Sequence, residues 1–287
     1  MTLASQAGLG AKKTGGKMLP LLHIAVLALV QGITEFLPIS SSGHLVLVPW
    51  VLGWKDQGLM IDVAVHVGTL GAVMVYFRGD IYDMVNGLWR MAKGRGYNNG
   101  ARLAFYLVIA TIPVVIAGFV VNKMFPDGIR SILVIGWATL GFGLLLWLTD
   151  RFGLTLKRIE HLKFFDVIAI GISQVLALIP GTSRSGITMT AGRLLGMERT
   201  DAARFSMLMS IPTIIGAGTL KGYELYKIGD AGTASSAVIA AALAFVSALV
   251  AIFLMMAWLR KATFTPFVIY RVLLGAFLLS VAYGYVG

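Results

Sequence analysis

Residues 31–44 read QGITEFLPISSSGH, and residues 180–188 read PGTSRSGIT. In each stretch a polar segment with proline, glycine and serine interrupts an apolar run. We call residues 38–43 the first break and residues 180–186 the second break. The apolar arms are residues 21–37 and 44–53 in the first unit, and 164–179 and 187–196 in the second. An arm of about ten residues is too short to cross a bilayer, so each unit predicts a re-entrant helical hairpin.

The composition around these two units predicts a membrane protein. Of the 287 residues, 57% are hydrophobic and 13% are charged, and the mean hydropathy is +0.83. A soluble fold would have to expose large apolar patches, and a disordered chain would need a more polar sequence. Six further runs are long enough to span a membrane, namely residues 61–77, 103–121, 131–149, 205–223, 237–259 and 267–286. We therefore predict an all-α integral membrane fold of six transmembrane helices plus two re-entrant hairpins.

The two hairpin units predict an internal repeat. A shift of 143 positions aligns Gln31 with Gln174, Ser40 with Ser183, Ser42 with Ser185, Gly43 with Gly186, Leu52 with Leu195 and Gly53 with Gly196. Each hairpin is followed by three spans, so the second repeat would be inverted relative to the first. Residues 21–287 would form one membrane domain, with repeats at 21–149 and 164–287, and residues 1–20 a flexible tail. Broken helices in two inverted halves predict a binding site where the halves meet.

The charges limit the partners and indicate an orientation. Lys and Arg number 24 against 13 Asp and Glu, but the basic residues lie in short connections between apolar runs. This pattern favours an anionic membrane surface over nucleic acid. Residues 78–102, 150–163, 193–204 and 260–266 carry most of the basic residues, which predicts that this side is cytoplasmic and that both termini are periplasmic. The chain has no cysteine and only 4 histidines, so any metal would need oxygen ligands, as Mg²⁺ or Ca²⁺ does.

One acidic and one basic residue are the first candidates for chemistry. Glu35 is the only glutamate inside an apolar run, and an ionisable group there is a functional candidate by default. Gln31 lies one helical turn before it. Arg184 lies in the second break, and its planar fork suits a phosphate. The alternatives are a purely structural Glu35 and a structural ion pair between Glu35 and Arg184.

The hydroxyl and imidazole groups of the first break have several interpretations. Ser40, Ser41 and Ser42 could donate hydrogen bonds, cap a helix or supply a nucleophile. His44 could transfer a proton near neutral pH, or it could be a polar side chain that faces the water-filled mouth of the site. Asp62 and His66 share a helical face and could support the site or simply pair with each other. A transporter of a phosphorylated lipid or anion would also fit two inverted repeats with these polar breaks.

These motifs resemble a known family. Residues 31–44 resemble the first signature of the bacitracin-resistance type undecaprenyl-diphosphate phosphatases, (E/Q)xxxE followed by PxSSxGH. Residues 180–188 resemble their second signature, PGxSRSxxT, and the resemblance extends over about residues 21–287. One departure is Gln31, which stands where many members have a second glutamate.

The resemblance implies a bacterial inner-membrane hydrolase that converts undecaprenyl diphosphate to undecaprenyl phosphate and inorganic phosphate, which recycles the lipid carrier for peptidoglycan synthesis. It also implies a divalent cation, Mg²⁺ or Ca²⁺, bacitracin tolerance when the enzyme is abundant, and a homodimer.

Carried over residue by residue, the resemblance also implies roles for the named side chains. Arg184 would neutralise phosphate charge, Ser41 would be the nucleophile or orient a water, and His44 would act as general acid or base. Glu35 would activate Ser41 or bind the metal, with Gln31 as a weaker metal ligand. The expected substrate-binding residues are Gln31, Ser40, Ser42, Gly43, Thr182, Ser183, Ser185, Gly186 and Thr188.

Overall fold

The structure is a computed structural model that describes residues 21–54, 58–125, 131–228 and 234–285. The α-helices in these ranges are α1 (Leu21–Thr34), α2 (Ser41–Leu52), α3 (Leu59–Tyr76), α4 (Arg78–Ala92), α5 (Asn99–Met124), α6 (Ile132–Phe152), α7 (Phe164–Val175), α8 (Arg184–Leu194), α9 (Arg199–Ile228), α10 (Ala234–Leu259) and α11 (Thr265–Ala282). The only pairing of β type in these ranges is an isolated bridge between Lys157 and Met197. The prediction of a flexible tail at residues 1–20 lies outside the described residues.

Five of the described helices are long and apolar enough to cross a membrane: α3, α5, α6, α10 and α11. They overlap five of the six predicted spans; α5 is longer than predicted at both ends, and α11 ends before residue 286. The remaining predicted span, residues 205–223, lies within α9, which is a single helix of 30 residues. The chain is therefore an all-helical protein of the integral membrane class.

One helix was not predicted. Residues 78–102 were interpreted as a connection between spans, but α4 occupies residues Arg78–Ala92 within it. Its buried positions, Met84 and Gly87, are three residues apart and pack against α5. The sequence did not indicate this short apolar face, because the charged residues around it are typical of a solvated loop.

The two predicted breaks are present as interruptions between helices. α1 ends at Thr34 and α2 begins at Ser41, while α7 is extended by one 3₁₀ turn at Leu176–Leu178 before α8 begins at Arg184. The second helices, α2 and α8, have 12 and 11 residues. At about 1.5 Å per residue each is well below the ~30 Å of a hydrocarbon core.

The two breaks also share an unusual backbone conformation. Ser40 has φ 74° and Ser183 has φ 71°, and within the described ranges these are the only residues other than glycine with positive φ. Each serine caps the helix that follows it, because Gly43 N–H donates to Ser40 Oγ and Gly186 N–H donates to Ser183 Oγ. The side-chain cap offsets the steric cost of a left-handed serine. The aligned residues of the predicted repeat thus adopt matching conformations.

Corresponding helices of the two units pack on corresponding partners. α1 lies against α10, and α7 lies against α5. Both contacts are close because glycine removes the side chain at the crossing. A Cβ atom on Gly32 would come within 2.7 Å of the Ala244 carbonyl oxygen, and one on Gly171 within 2.7 Å of the Ala110 carbonyl oxygen. Small residues at such crossings allow helix backbones to approach closely in membrane proteins.

A buried arginine from α11 joins the two breaks. Arg271 is completely buried, and its Nη1 atom donates to the Pro38 carbonyl oxygen of the first break at 3.2 Å. Its Nη2 atom donates to the carbonyl oxygens of Gly181 and Thr182 in the second break at 3.1 and 2.9 Å. The Nε atom donates to the Thr139 carbonyl oxygen on α6 at 3.0 Å. One guanidinium therefore satisfies carbonyl groups that helix interruption leaves without helical partners.

A second buried arginine fixes the far end of α8. Arg193 was predicted to lie in a basic connection at the membrane surface, but the structure buries it completely. Its Nε atom donates to Asp150 Oδ1 at 3.1 Å, and the same oxygen accepts from Arg199 Nε at 2.7 Å. Asp150 also accepts the Phe264 N–H. A buried carboxylate is stable only with nearby donors, and Arg193 is one of the donors to Asp150. These hydrogen bonds connect α6, α8, α9 and the start of α11.

The Arg271 contacts predict a large loss of stability when the guanidinium is removed. In Arg271→Gln the Pro38, Gly181 and Thr182 carbonyls would lose charged donors, each worth about 1.5–3 kcal/mol. We expect the free energy of unfolding to fall by more than about 3 kcal/mol, measured by thermal unfolding in detergent. Arg260→Gln, at an exposed position, is the control and should unfold at the parent temperature. Equal unfolding temperatures for the two variants would contradict the role of Arg271 as the joint between the breaks.

Candidate functional site

Residues just before the first break contact the second break, and one of these contacts joins an acidic and a basic side chain. Arg184 Nη2 donates to Glu35 Oε1 at 3.3 Å, although the residues are 149 positions apart. A second contact runs from Ser185 Oγ to the Leu37 carbonyl oxygen at 2.9 Å. The side chains of Glu35 and Arg184 are 7% and 14% exposed, so this ion pair is largely shielded from solvent. The segment around the first break and the second break therefore lie in direct contact.

Glu35 accepts hydrogen bonds from residues that precede and follow it in the sequence. Its Oε2 atom accepts from Gln31 Nε2 and from Ser41 Oγ, each at 2.8 Å. His66 Nε2 lies 3.9 Å from the same oxygen. The other nitrogen of that ring, Nδ1, lies 2.7 Å from the Asp62 main-chain oxygen. The neighbouring residues thus orient the carboxylate, which accepts the hydroxyl hydrogen of Ser41. A base and a potential nucleophile have this arrangement in enzymes that use a serine hydroxyl.

Arg184 is held in place from behind. Its Nη1 atom donates to the Ser206 carbonyl oxygen on α9 at 3.1 Å. Thr188 Oγ1 donates to the Arg184 carbonyl oxygen at 2.9 Å and lies 2.6 Å from Ser206 Oγ. These contacts fix both the backbone and one nitrogen of the guanidinium, while Nη2 faces Glu35. An arginine oriented in this way can bind a phosphate through two nitrogens.

Ser41 and Arg184 occupy equivalent positions in the two units. Each is the first residue of its helix, α2 or α8, directly after the left-handed serine. A helix N-terminus presents N–H groups without helical acceptors and the positive end of the helix dipole. Two such termini therefore converge beside Glu35, which creates a favourable environment for an anion.

A cavity of about 640 Å³ opens from this ion pair. Its polar lining includes Glu35, Ser41, Ser42, Ser183 and Arg184, which are five of the predicted site residues. The remaining lining is Leu45, Pro49, Asp62, Val63, His66, Val67, Ala177, Leu178, Thr213, Ile214, Ala217 and Gly218. The cavity thus combines a polar group of residues from the breaks with largely apolar walls from α2, α3 and α9.

Other predicted site residues lie behind this surface. They are buried and support the groups that line the cavity; they are Gln31, Ser40, Gly43, Thr182, Ser185, Gly186 and Thr188. Gln31 orients Glu35, Ser40 caps α2, and Ser185 joins the two breaks. Gly186 leaves room for the Arg271 guanidinium, since a Cβ atom there would lie 2.7 Å from Arg271 Nη1. The geometry gives these residues contacts that shape the site from within the protein.

His44 is engaged by the protein through both ring nitrogens. Nδ1 donates to the Ser40 carbonyl oxygen at 2.7 Å, so Nε2 of the neutral ring accepts from Tyr270 Oη at 2.5 Å. The residue is 8% exposed and lies behind the surface that lines the cavity. His66, by contrast, lines the cavity and lies beside Glu35. Asp62, on the same helical face, lines the cavity too, so both residues of the predicted pair lie at its surface.

Sequence reasoning missed several residues that organise the site. Tyr270 contacts His44, Ser206 contacts Arg184 and Thr188, and Arg271 joins the breaks. Arg271 carried a signal, because it is the only charged residue in its predicted span, residues 267–286. Tyr270 and Ser206 carried none, since tyrosine and serine are ordinary residues in apolar helices.

The oxygen atoms near Glu35 suit a hard divalent cation. Gln31 Oε1 is buried and accepts no hydrogen bond in the described part of the chain, and it belongs to the side chain that contacts Glu35. Carboxylate, amide and hydroxyl oxygens are ligands for Mg²⁺ and Ca²⁺. Among the described residues, however, no group of three His, Cys, Asp or Glu could hold a metal ion without help. The residues therefore fit a cation whose remaining ligands are phosphate oxygens and water.

Fold and site together define a helical membrane protein in which two broken helix pairs meet at a buried ion pair of Glu35 and Arg184. The sequence model of the family described as "Bacitracin resistance protein BacA" matches residues 24–277. The chain is 55% identical to the undecaprenyl-diphosphatase of Ruegeria pomeroyi, in an alignment covering 92% of this chain and 99% of the relative. It is 53% identical to undecaprenyl-diphosphatase 1 of Rhodospirillum rubrum, covering 92% and 95%. The chain belongs to this family, as the resemblance of its two signatures predicts.

Two buried threonines provide a test of the site's internal hydrogen bonds. Thr182 Oγ1 is buried without a hydrogen-bond partner in the described part of the chain, whereas Thr188 Oγ1 has several. Thr182→Val should therefore leave the free energy of unfolding unchanged or raise it slightly, while Thr188→Val should lower it by about 1–2 kcal/mol. Thermal unfolding in detergent measures both. Equal destabilisation by the two substitutions would contradict the described bonding.

Proposed function

We propose that this protein hydrolyses the terminal phosphate of undecaprenyl diphosphate and releases undecaprenyl phosphate and inorganic phosphate. The observation that carries the proposal is the contact of Arg184 and Ser41 with the same carboxylate, Glu35, at the lining of a cavity. This arrangement supplies a phosphate-binding cation, a hydroxyl nucleophile and a base within one contact network. The names of the similar curated proteins support the choice of substrate.

The two kinds of cavity wall suit the two parts of this lipid. The diphosphate would lie beside Arg184 and the N-termini of α2 and α8, where positive charge and free N–H groups are concentrated. The prenyl chain would follow the apolar residues Leu45, Val63 and Ile214 toward the bilayer. Leaving this chain in lipid avoids the cost of exposing it to water.

The contacts of Glu35 suggest how the reaction proceeds. Glu35 Oε2 already accepts the Ser41 hydroxyl hydrogen, so it can take that proton as Oγ attacks the terminal phosphorus. The bond to the bridging oxygen breaks, and the prenyl monophosphate leaves. Glu35 would then lose this proton to solvent and take one from a water whose oxygen attacks the phosphoserine. The bond between phosphorus and Ser41 Oγ breaks, Oγ takes that proton back, and inorganic phosphate leaves. Arg184 would stay beside the phosphoryl oxygens throughout, because phosphoryl transfer depends chiefly on positioning and charge stabilisation. His44, locked between Ser40 and Tyr270, would keep the start of α2 in register.

Glu35 and Gln31 would hold a divalent cation together with the substrate. Glu35 offers carboxylate oxygens, and Gln31 offers its Oε1 atom, which has no hydrogen-bond partner among the described residues. A bound Mg²⁺ or Ca²⁺ supplies positive charge that offsets the charge of the diphosphate. Because Gln31 is neutral, this site would bind the cation more weakly than a pair of glutamates would.

The same reasoning extends to topology and orientation. We take α9 as the sixth span and the units α1–α2 and α7–α8 as hairpins that return to their own sides, which makes the two repeats inverted. The cavity is lined by the first part of α3 and by residues 213–218 of α9. In this topology both segments lie on the side opposite the basic connections. The cavity would therefore open to the periplasmic face of the bacterial inner membrane, and both termini would lie on that face.

Phosphate release in detergent tests the proposed reaction, because transport cannot be measured where no compartments exist. Arg184→Ala, Glu35→Ala and Ser41→Ala should each lower the turnover of undecaprenyl diphosphate by at least about 10²-fold, as loss of a charge-stabilising group does in other enzymes. Arg260→Gln is the control with an exposed charge removed. Parent-like turnover in Arg184→Ala or Glu35→Ala, with normal thermal unfolding, would remove that residue from the mechanism. A parent protein without turnover on prenyl diphosphates of any length would favour transport.

A gain of cation affinity tests the proposed ligands. Gln31→Glu would place a second carboxylate beside Glu35, so the Mg²⁺ or Ca²⁺ concentration for half-maximal phosphate release should fall by about 10-fold, or 1.4 kcal/mol. The measurement is turnover against free cation after treatment with a chelator. If turnover of the parent and of Gln31→Glu is unaffected by chelator, the cation proposal is wrong.

Cysteine labelling tests the orientation, since the parent chain has no cysteine. Tyr283→Cys lies just after α11, and Arg95→Cys lies between α4 and α5; both positions are exposed. A membrane-impermeant maleimide should label Tyr283→Cys at the periplasmic face without lysis of the inner membrane and Arg95→Cys only after that membrane is permeabilised. The reverse pattern would place the cavity on the cytoplasmic face.

A further inference from the structure

α4 occupies a position that the proposed reaction does not explain. It begins at Arg78, directly after Phe77 at the end of the membrane-crossing helix α3, and it is followed by α5, a second candidate span that begins at Asn99. Its 15 residues contain Arg78, Asp80, Asp83 and Arg90, so it is too short and too polar to cross a bilayer. The helix therefore lies at the end of two spans, where the membrane meets water.

One face of α4 is fixed to the protein. Met84 and Gly87 are buried, and a Cβ atom on Gly87 would lie 2.4 Å from the Ala101 nitrogen of α5. Asp80 accepts from Arg204 Nε at 3.0 Å, which joins α4 to α9. Both contacts hold the helix in one rotation about its axis, so the opposite face is presented outward.

The outward face combines apolar and basic residues. Tyr82, Val85 and Trp89 are 69%, 61% and 60% exposed, and spacings of three and four residues place them on one side of the helix. Arg78 and Lys93 continue that side at its two ends, and Lys93 Nζ lies 4.3 Å from the centroid of the Trp89 ring. We call Arg78, Tyr82, Val85, Trp89 and Lys93 the α4 patch.

We propose that the α4 patch binds the anionic lipid headgroups of the leaflet at which α3 ends. Tyrosine and tryptophan favour the headgroup level of a bilayer, because their rings are apolar and their polar atoms can remain hydrated. Arg78 and Lys93 add electrostatic attraction to anionic lipids near the membrane surface. The connection to α5 is also basic, with Arg95 and Arg102.

The charge of this region favours a membrane over a protein partner or water. The basic residues of α4 and its connection outnumber Asp80 and Asp83, and Asp80 is already paired with Arg204. An amphipathic helix with aromatic residues between basic ends is typical of a helix that lies in the membrane interface. The α4 patch therefore matches an anionic surface that contains an apolar layer directly beneath the headgroups. This inference does not depend on the proposed phosphatase reaction.

Fluorescence quenching of Trp89 in lipid vesicles tests the proposal. The full-length protein is reconstituted with phosphatidylcholine and phosphatidylglycerol, one of which carries bromine near the glycerol end of its acyl chains. The signal of Trp89 is the difference between the parent and Trp89→Phe. We expect brominated phosphatidylglycerol to quench this signal about twofold more than brominated phosphatidylcholine at the same mole fraction.

Charge variants show whether the α4 patch causes that preference. Arg78→Gln with Lys93→Gln should abolish the excess quenching by phosphatidylglycerol, and Arg78→Lys with Lys93→Arg should restore it. Arg260→Gln with Lys261→Gln removes two exposed charges elsewhere and should leave it intact. Equal quenching by the two lipids in the parent would overturn the anionic preference. Quenching of Trp89 by aqueous acrylamide but by neither lipid would overturn the membrane contact itself.

Discussion

The arrangement of the whole centre depends on one buried guanidinium. Helix interruption in an apolar environment leaves carbonyl groups without partners, and each such group is costly where water is excluded. Arg271 supplies hydrogen bonds to such carbonyl groups in both breaks. It donates to Pro38 in the first break and to Gly181 and Thr182 in the second. Its charge is delocalised and needs several acceptors in one plane, so the two breaks can satisfy it only when they lie side by side. The contact between Glu35 and Arg184 is a consequence of that geometry.

The two breaks have similar backbones but carry different functional side chains. The same backbone turn, the same serine cap and the same helix start occur twice, yet the first helical residue is Ser41 in one unit and Arg184 in the other. Glu35 lies next to both and interacts with a hydroxyl on one oxygen and a guanidinium on the other. Two similar helix starts therefore lie beside one carboxylate, and in the proposed function Ser41 would be the nucleophile and Arg184 would bind the phosphate.

The sequence predicted those parts of the structure that rest on local pattern or on the cost of burying charge. The two breaks followed from short apolar arms around proline and serine, and Glu35 was singled out by its cost inside an apolar run. Its ion pair with Arg184 was one of the alternatives that the sequence left open. The support behind the site was beyond such reasoning. Arg271 stood out as the only charged residue of its predicted span, but its acceptors are main-chain oxygens, which no side-chain pattern reveals. Tyr270 and Ser206 gain their roles only from helix packing. α4 was missed because its buried face consists of few residues among many charges.

The anchoring of α8 differs from that of α2, and this difference assigns them unequal mechanical parts. α8 is secured at its start through Thr182 and Arg271, and at its end through Arg193 and Asp150. α2 packs chiefly on α1, and the described residues show no comparable ionic anchor at its far end. In the proposed function, α2 with Ser41 would therefore move when a headgroup binds or a product leaves, while α8 with Arg184 would stay in place.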